Sequence, residues 1–388
     1  MLQNFLTNKI DLRAFLEDDN AKELNILHTH RDPVSASSDD YQITYHKTSK
    51  GLTATLREQA INLEEPVLLE SVDINKPWGR EIWYTGIEER GESRIKTSDD
   101  KSLPLSLYLS LAPQHIGNNL LPLLLKVLDP LPSEPEGNLY LEVHEEKEEV
   151  YIVTHIDKKA WPNGIGEIRY GINQDKRKQY SSDQQFRLAY LAAVKEYENI
   201  RRKIDKGTEV DLASEKEAKK NMNAFTSVKE LQLGDVIRVP TWIPHSLQHG
   251  VRVVEFQTPT YERFIISFEQ KVLTQDHWDS EYAIERMHLA PPIESRLTNQ
   301  SSGIERLADF SSFSAIKVDF SQVNHFNLSN TSNYAICLPI GAACSIGSLT
   351  VPSETACFIP YNGLNHLKVL GKPGGYALIA SPSIQVAA

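Results

Sequence analysis

The 388 residues carry 41 Lys and Arg against 52 Asp and Glu, a formal net charge of -11, and the basic residues form no long run. That balance favours solubility and excludes a nucleic-acid surface, while the length exceeds one ordinary core and predicts two or three domains. Cys337, Cys344 and Cys357 are odd in number, spaced apart and confined to one end. They predict buried reduced thiols and argue against a disulfide framework or a thiolate metal site. Met1 to Leu16 mixes acidic and polar residues among the apolar ones, with no cationic head before an apolar block, so no secretory signal is expected. The most apolar run, Leu120 to Leu128, holds Pro122 and Lys126 and is too short to span a bilayer. The expectation is a cytoplasmic protein with neither a membrane nor a nucleic-acid partner, either monomer or homodimer.

Along the chain, residues 1–70 predict an extension packed on a larger body. Ile10 to Leu27 has a helix-like pattern, a polar loop with Asp32, Pro33 and Ser35 to Asp40 follows, and Tyr41 to Tyr45 alternates like a strand. Lys76 to Arg80 predicts a turn, and the aromatic and β-branched Glu81 to Thr85 a strand. From Leu123 to Val153 the pattern is strand, Pro-rich loop, strand, acidic turn, strand; the loop Asp129 to Gly137 continues neither element because its prolines cannot. Between residues 182 and 223 the period changes to that of a helix, with Phe186, Leu188, Leu191, Val194, Tyr197 and Ile200 recurring among Lys and Glu. Leu231 to Phe268 returns to strands punctuated by Gly and Pro, and Asp279 to Met287 predicts a short helix. Residues 311–388 break into short β-rich runs, the pattern of a small sandwich or jelly roll. The domains expected are 1–70, a metal-binding 71–295 carrying the helical insertion, and 311–388.

Glu142 and His144 stand at i and i+2 in Leu139 to His144, so in an extended strand both point the same way. Glu149 follows closely. A hundred residues on, Gly234 to His245 supplies a second histidine after a strand and a Pro-bounded turn. Glu142, His144, Glu149 and His245 therefore make a four-ligand set, and mixed imidazole and carboxylate donors suit zinc, manganese, iron or nickel in a catalytic more than a structural site. The acidic run leaves the register between Glu148 and Glu149 open, although strand alternation puts them on opposite faces. His249, four residues beyond His245, reads as a structural histidine or a spare ligand.

Glu142-x-His144-x4-Glu149 fits the first cupin motif with Glu in place of its first His. Gly234-x5-Pro240-x4-His245 fits the second, with Trp242 where a Gly is usual. Within the cupins the chain resembles the type I phosphomannose isomerases. The blocks that carry the resemblance are Leu123 to Asp129, Leu139 to His144, Lys147 to Glu149, Gly234 to His245, and Val254 to Gln257, scattered over residues 76–268. The resemblance implies a mainly β fold of two cupin-type jelly-roll barrels with a helical insertion, and one divalent metal ion, zinc first. It also implies an aldose-ketose isomerase acting on a sugar phosphate, with mannose 6-phosphate to fructose 6-phosphate the first candidate. By that analogy Glu142 takes the place of a Gln ligand, while His144, Glu149 and His245 match the other ligands. Lys126 and Lys147 match active-site lysines, Arg263 is similar to the catalytic arginine, and Glu255 sits near the active-site carboxylate.

Three positions depart from that family. Glu142 adds a negative charge, Tyr140 stands where a small hydroxyl residue is associated with substrate phosphate, and Glu145 replaces a Pro. In such an isomerisation a proton alpha to a carbonyl is removed and an enediol charge stabilised. Arg263 would hold phosphate or enediolate charge through its planar fork, and Lys126, Lys147 or Glu255 could move the proton. Two other readings use the same ligands: a noncatalytic cupin that senses a sugar or sugar phosphate, and an iron-dependent oxygenase.

Overall fold

The computed structural model describes residues 12 and 14–383, apart from 50, 98, 113–120, 209, 270–277, 294–301, 329–332, 362–363 and 365–366. These residues form two compact units. One comprises the described residues within 1–74, 83–126 and 297–388, the other those within 75–82 and 127–296. The division differs from the tripartite expectation: the N-terminal segment and residues 83–126 cluster with the C-terminal β region. The physical link is backbone pairing, since strand Val67–Glu70 pairs antiparallel with Cys357–Ile359 in one sheet.

In the first unit, Val67–Glu70 belongs to an eight-stranded sheet ordered Ser102–Pro104, Arg94–Lys96, Val67–Glu70, Cys357–Ile359, Ala335–Ile340, Tyr376–Pro382, Phe313–Asp319, Ile304–Asp309. A four-stranded sheet of His325–Asn327, Lys368–Leu370, Cys344–Ile346 and Leu349–Val351 shares a core with it. Val318, Cys337, Cys357 and Ala377 from the larger sheet pack there against Phe326, Ile346, Val351 and Val369 from the smaller. The three cysteines are free and buried, as expected.

The helix-like stretch Ile10 to Leu27 divides in two: residues 12 and 14–17 are helical, as expected, but its later part is not. Glu23–Arg31 is a strand of an antiparallel meander with Ser38–Thr48, Gly51–Leu56 and Gln59–Asn62. Ile26, His28 and His30 alternate inward, and that period of two, fixed by pairing with Ser38–Thr48, overrides the looser helical spacing. Ile10 itself lies outside the described residues.

The second unit holds the candidate ligands. One sheet runs Val236–Val239, Glu149–Ile156, Val251–Gln257, Leu124–Pro130, Gly79–Trp83, Val72–Lys76; the other runs Thr226–Leu231, Gly166–Ile172, His245–Leu247, Leu141–Val143, Phe264–Ser267. Val143, Ile168, Leu247 and Ile265 from the second sheet share a core with Tyr151, Val153, Ile237 and Val253 from the first. This is the two-sheet arrangement of a jelly roll.

The insertion folds as helices Asp183–Asp205 and Leu212–Asn223, capped by the Ser182 hydroxyl and the Asp211 carboxylate. Phe186, Tyr190, Val194 and Tyr197 form its buried stripe. Leu188, expected in that stripe, is 60% exposed; two positions from Phe186 is about 200° around the helix, so both cannot face the core. Buried Glu269 ties the second helix down by accepting from Asn223 and Asn138 and pairing with Lys219 at 3.0 Å. Burial alone would raise its carboxyl, but Lys219 and the two amides hold it below the usual range. Among the described residues no helix is long and apolar enough to cross a membrane.

Candidate metal centre

Strand Leu141–Val143 buries Leu141 and Val143 on one face and leaves Glu142 on the other. Its neighbour His245–Leu247 runs antiparallel with Glu142 directly opposite His245, so these two side chains emerge side by side. His144, two residues on from Glu142, shares that face. The chain then turns through Glu145 to Glu148 into strand Glu149–Ile156, whose first residue is 1% exposed.

These short-range rules bring four side chains together. His144 Nε2 lies 3.7 Å from Glu142 Oε1 and 3.6 Å from Glu149 Oε1. His245 Nε2 lies 3.2 Å from Glu149 Oε2, and the two imidazole centroids are 5.0 Å apart. One ligand atom from each of Glu142, His144 and His245 falls within 4.8 Å of the others. These distances put Glu149, not Glu148, beside the two imidazoles.

The donor chemistry of the group fits a cation. His245 Nδ1 is 2.9 Å from the Ile243 carbonyl, which can only accept, so Nδ1 carries a proton and Nε2 is the ring atom turned to the Glu149 carboxylate. In the neutral ring Nε2 offers a lone pair to a cation, and the carboxylate beside it offers another. Glu142 Oε2 and His245 Nε2 are also buried without a hydrogen bond among the described residues. A metal ion satisfies such a set, with the Ile243 carbonyl fixing the imidazole from behind.

Glu149 is itself held by two donors. The Lys147 ammonium is 2.6 Å from Oε1 and the Tyr151 hydroxyl donates to Oε2 at 2.7 Å. Burial would push this carboxyl up, but Lys147, His144 and His245 outweigh it and keep it well below the usual range. Tyr151 moves the opposite way. Burial first, then the charges of Glu149, Glu255 and Glu142, hold its hydroxyl well above the ordinary value. Glu255 is fully buried and stands opposite Tyr151 on the neighbouring strand, so three carboxylates act on one phenol.

Two further features shape the surroundings. The Glu262 carboxylate accepts from the backbone amides of Glu145 and Glu146 at 2.6 and 2.8 Å, pinning the acidic turn between His144 and Glu149, and Tyr282 donates to Glu145 at 2.9 Å. Trp242 has φ 62°, the left-handed conformation that the motif's usual Gly adopts without strain. Its amide donates to the His144 carbonyl at 2.7 Å and its ring stacks on Phe264 at 6.1 Å.

The remaining candidates are placed differently. Arg263 is exposed and its guanidinium stacks 5.2 Å over the Tyr140 ring. Burial raises the Tyr140 hydroxyl to about 12, with Arg263 pulling the other way. Lys126 is buried in strand Leu124–Pro130, where the chain passes from the first unit to the second. His249 stacks on Trp161 at 4.7 Å and lies 3.0 Å from Asn138 Oδ1, a structural histidine. Tyr151, Glu262 and Gln257 were not singled out from the sequence. Tyr151 was within reach of it by the i, i+2 rule from Glu149; the other two depend on pairings that no local pattern reports.

No protein-family model and no curated protein sequence matches the chain. Solved structures do. The mannose 6-phosphate isomerase from Bacillus subtilis aligns with 81% of this chain and 99% of its own at TM-score 0.59 and 15% identity. A variant of the phosphomannose isomerase from Salmonella typhimurium aligns with 81% and 98% at TM-score 0.59 and 13% identity. A mannose 6-phosphate isomerase bound with zinc and yttrium gives TM-score 0.60 at 12% identity over the same shares. The chain has the fold of the phosphomannose isomerases.

Proposed function

We propose that the protein is a metal-dependent aldose-ketose isomerase of a sugar phosphate, with zinc at Glu142, His144, Glu149 and His245 and mannose 6-phosphate as first substrate. The observation that carries the reading is the meeting of two imidazole Nε2 atoms with the Glu149 carboxylate, 3.6 and 3.2 Å away, in a fold shared with mannose 6-phosphate isomerases. A bound divalent ion would supply Lewis acidity for a sugar carbonyl and its enediolate.

The protein's own groups divide the remaining work. Glu255, fully buried, is the candidate proton carrier, because Lys147 is engaged by Glu149 at 2.6 Å; Lys126 is the alternative donor. Arg263, whose guanidinium lies over the Tyr140 ring, is the candidate to meet a phosphate in two parallel hydrogen bonds through its planar fork. Glu142 in place of an amide puts a second carboxylate on the ion, which lowers its Lewis acidity relative to a single-carboxylate set.

Zinc-loaded protein is expected to form fructose 6-phosphate from mannose 6-phosphate, and to lose that activity on chelation and regain it with zinc. Absence of ketose while a control isomerase turns over in the same assay would overturn the substrate assignment.

A further inference from the structure

Gln257 ends strand Val251–Gln257 and is 1% exposed. Its register partner on the adjacent strand is Glu149, so the two side chains project from the same face with Cβ atoms about 5 Å apart. The amide is oriented without ambiguity. One end lies 3.0 Å from the Thr258 carbonyl and 3.3 Å from the Thr260 carbonyl, and carbonyls only accept, so that end is the NH2. The oxygen is therefore turned away from the Thr258 to Thr260 turn. It is buried and receives no hydrogen bond among the described residues. Glu142 Oε2 is a second buried acceptor in the same condition.

A buried carbonyl oxygen without a donor costs about 1–3 kcal/mol, and the protein leaves this one beside the centre with its amide locked. What completes it must donate. A phosphate dianion presents only acceptors, whereas a sugar presents hydroxyls. We propose that Gln257 is a specificity-determining residue whose Oε1 accepts a hydrogen bond from a hydroxyl of the polyol part of the ligand, next to Glu149. The polyol end of the substrate then lies over the acceptor-lined floor and the phosphate elsewhere, toward a cation such as Arg263. This inference rests on the sugar-phosphate reading above.

The test is calorimetry on zinc-loaded protein with mannitol 6-phosphate, which carries the hydroxyls and phosphate but no carbonyl to turn over, and with inorganic phosphate. Gln257→Met keeps the side-chain length and removes the acceptor; Gln257→Asn withdraws it by one methylene and serves if the first variant does not fold. The expected result is a Kd for mannitol 6-phosphate raised about ten-fold, equivalent to about 1.4 kcal/mol, with zinc content, far-UV circular dichroism and phosphate affinity unchanged. A Kd within two-fold of wild type in the folded variants overturns the inference and leaves the sugar-phosphate reading intact. Loss of zinc in either folded variant overturns it too, since Gln257 would then serve the metal rather than a hydroxyl. Wild-type protein that holds zinc and binds no mannitol 6-phosphate overturns both.

Discussion

Glu149 stands between a cation already present, the Lys147 ammonium, and the two imidazoles that a metal ion would join to it. In the metal-free protein the Lys147–Glu149 pair is the local charge balance, with both side chains buried. Glu149→Gln removes the anion and leaves the ammonium in low dielectric, and breaking a buried pair from one side costs about 3–5 kcal/mol. Urea denaturation of metal-free variant and wild type should show a loss of that size, and metal titration a weaker site. A variant as stable as wild type would mean that Lys147 reaches water. At this scale the sequence was informative where one strand's alternation decided the matter. Glu142 and His144 share a face, and a matching spacing in a second segment supplied His245. It was silent between Glu148 and Glu149, because four acidic residues in one short stretch carry no phase; the phase comes from Glu262, whose carboxylate holds two amides of that turn from more than a hundred residues away.

The turn from Pro240 to Pro244 decides whether His245 arrives opposite Glu142. Trp242 sits there in the left-handed region, which costs a non-glycine residue about 1–2 kcal/mol, and its ring stacks on Phe264 and approaches Tyr282 at 6.0 Å. Two effects compete in Trp242→Gly. Strain relief of about 1–2 kcal/mol opposes the loss of a half-buried indole, which at full burial would cost about 3–5 kcal/mol, and the added freedom of a glycine in the unfolded chain. The packing loss wins, and thermal denaturation should show a net destabilisation of about 2 kcal/mol; a stabilised variant would mean that the stack contributes nothing. The same contest between local and tertiary preference explains which elements were legible. The helical insertion announced itself through its period, because helices are local. Glu23–Arg31 was hidden: only its partner Ser38–Thr48 selects the period of two over the period of 3.6.

Each unit has its own core, and the buried histidine pair and the candidate metal ligands lie in different units. The division itself had no local signature, since it turns on Val67–Glu70 pairing with a strand near the other end of the chain. In the first unit, His28 and His30 are buried against the hydroxyls of Ser110 and Ser106 at 3.0 and 3.2 Å. Burial, helped by the neighbouring His30, depresses His28 to about 4, and burial also lowers His30. The unfolded chain titrates histidine near 6.5, so between about pH 6.5 and 4 it binds more protons than the folded unit. Stability from this pair is fully present above pH 6.5 and is lost as the pH falls toward 4. In the second unit the proposed zinc ligands bind only the folded state. At a hundred times the Kd zinc adds about 2.7 kcal/mol, or about 5–10 °C for a unit of this size. Calorimetric scans at pH 7.5 and 5, with zinc and with chelator, should therefore resolve two independent responses. Acid should lower the transition of the unit that carries His28, including when chelator is present, and at pH 7.5 zinc should raise only the transition of the unit that carries His245. Zinc moving both transitions equally would show that the units unfold as one cooperative body, and acid leaving the first transition unchanged would show that His28 is protonated in the folded state.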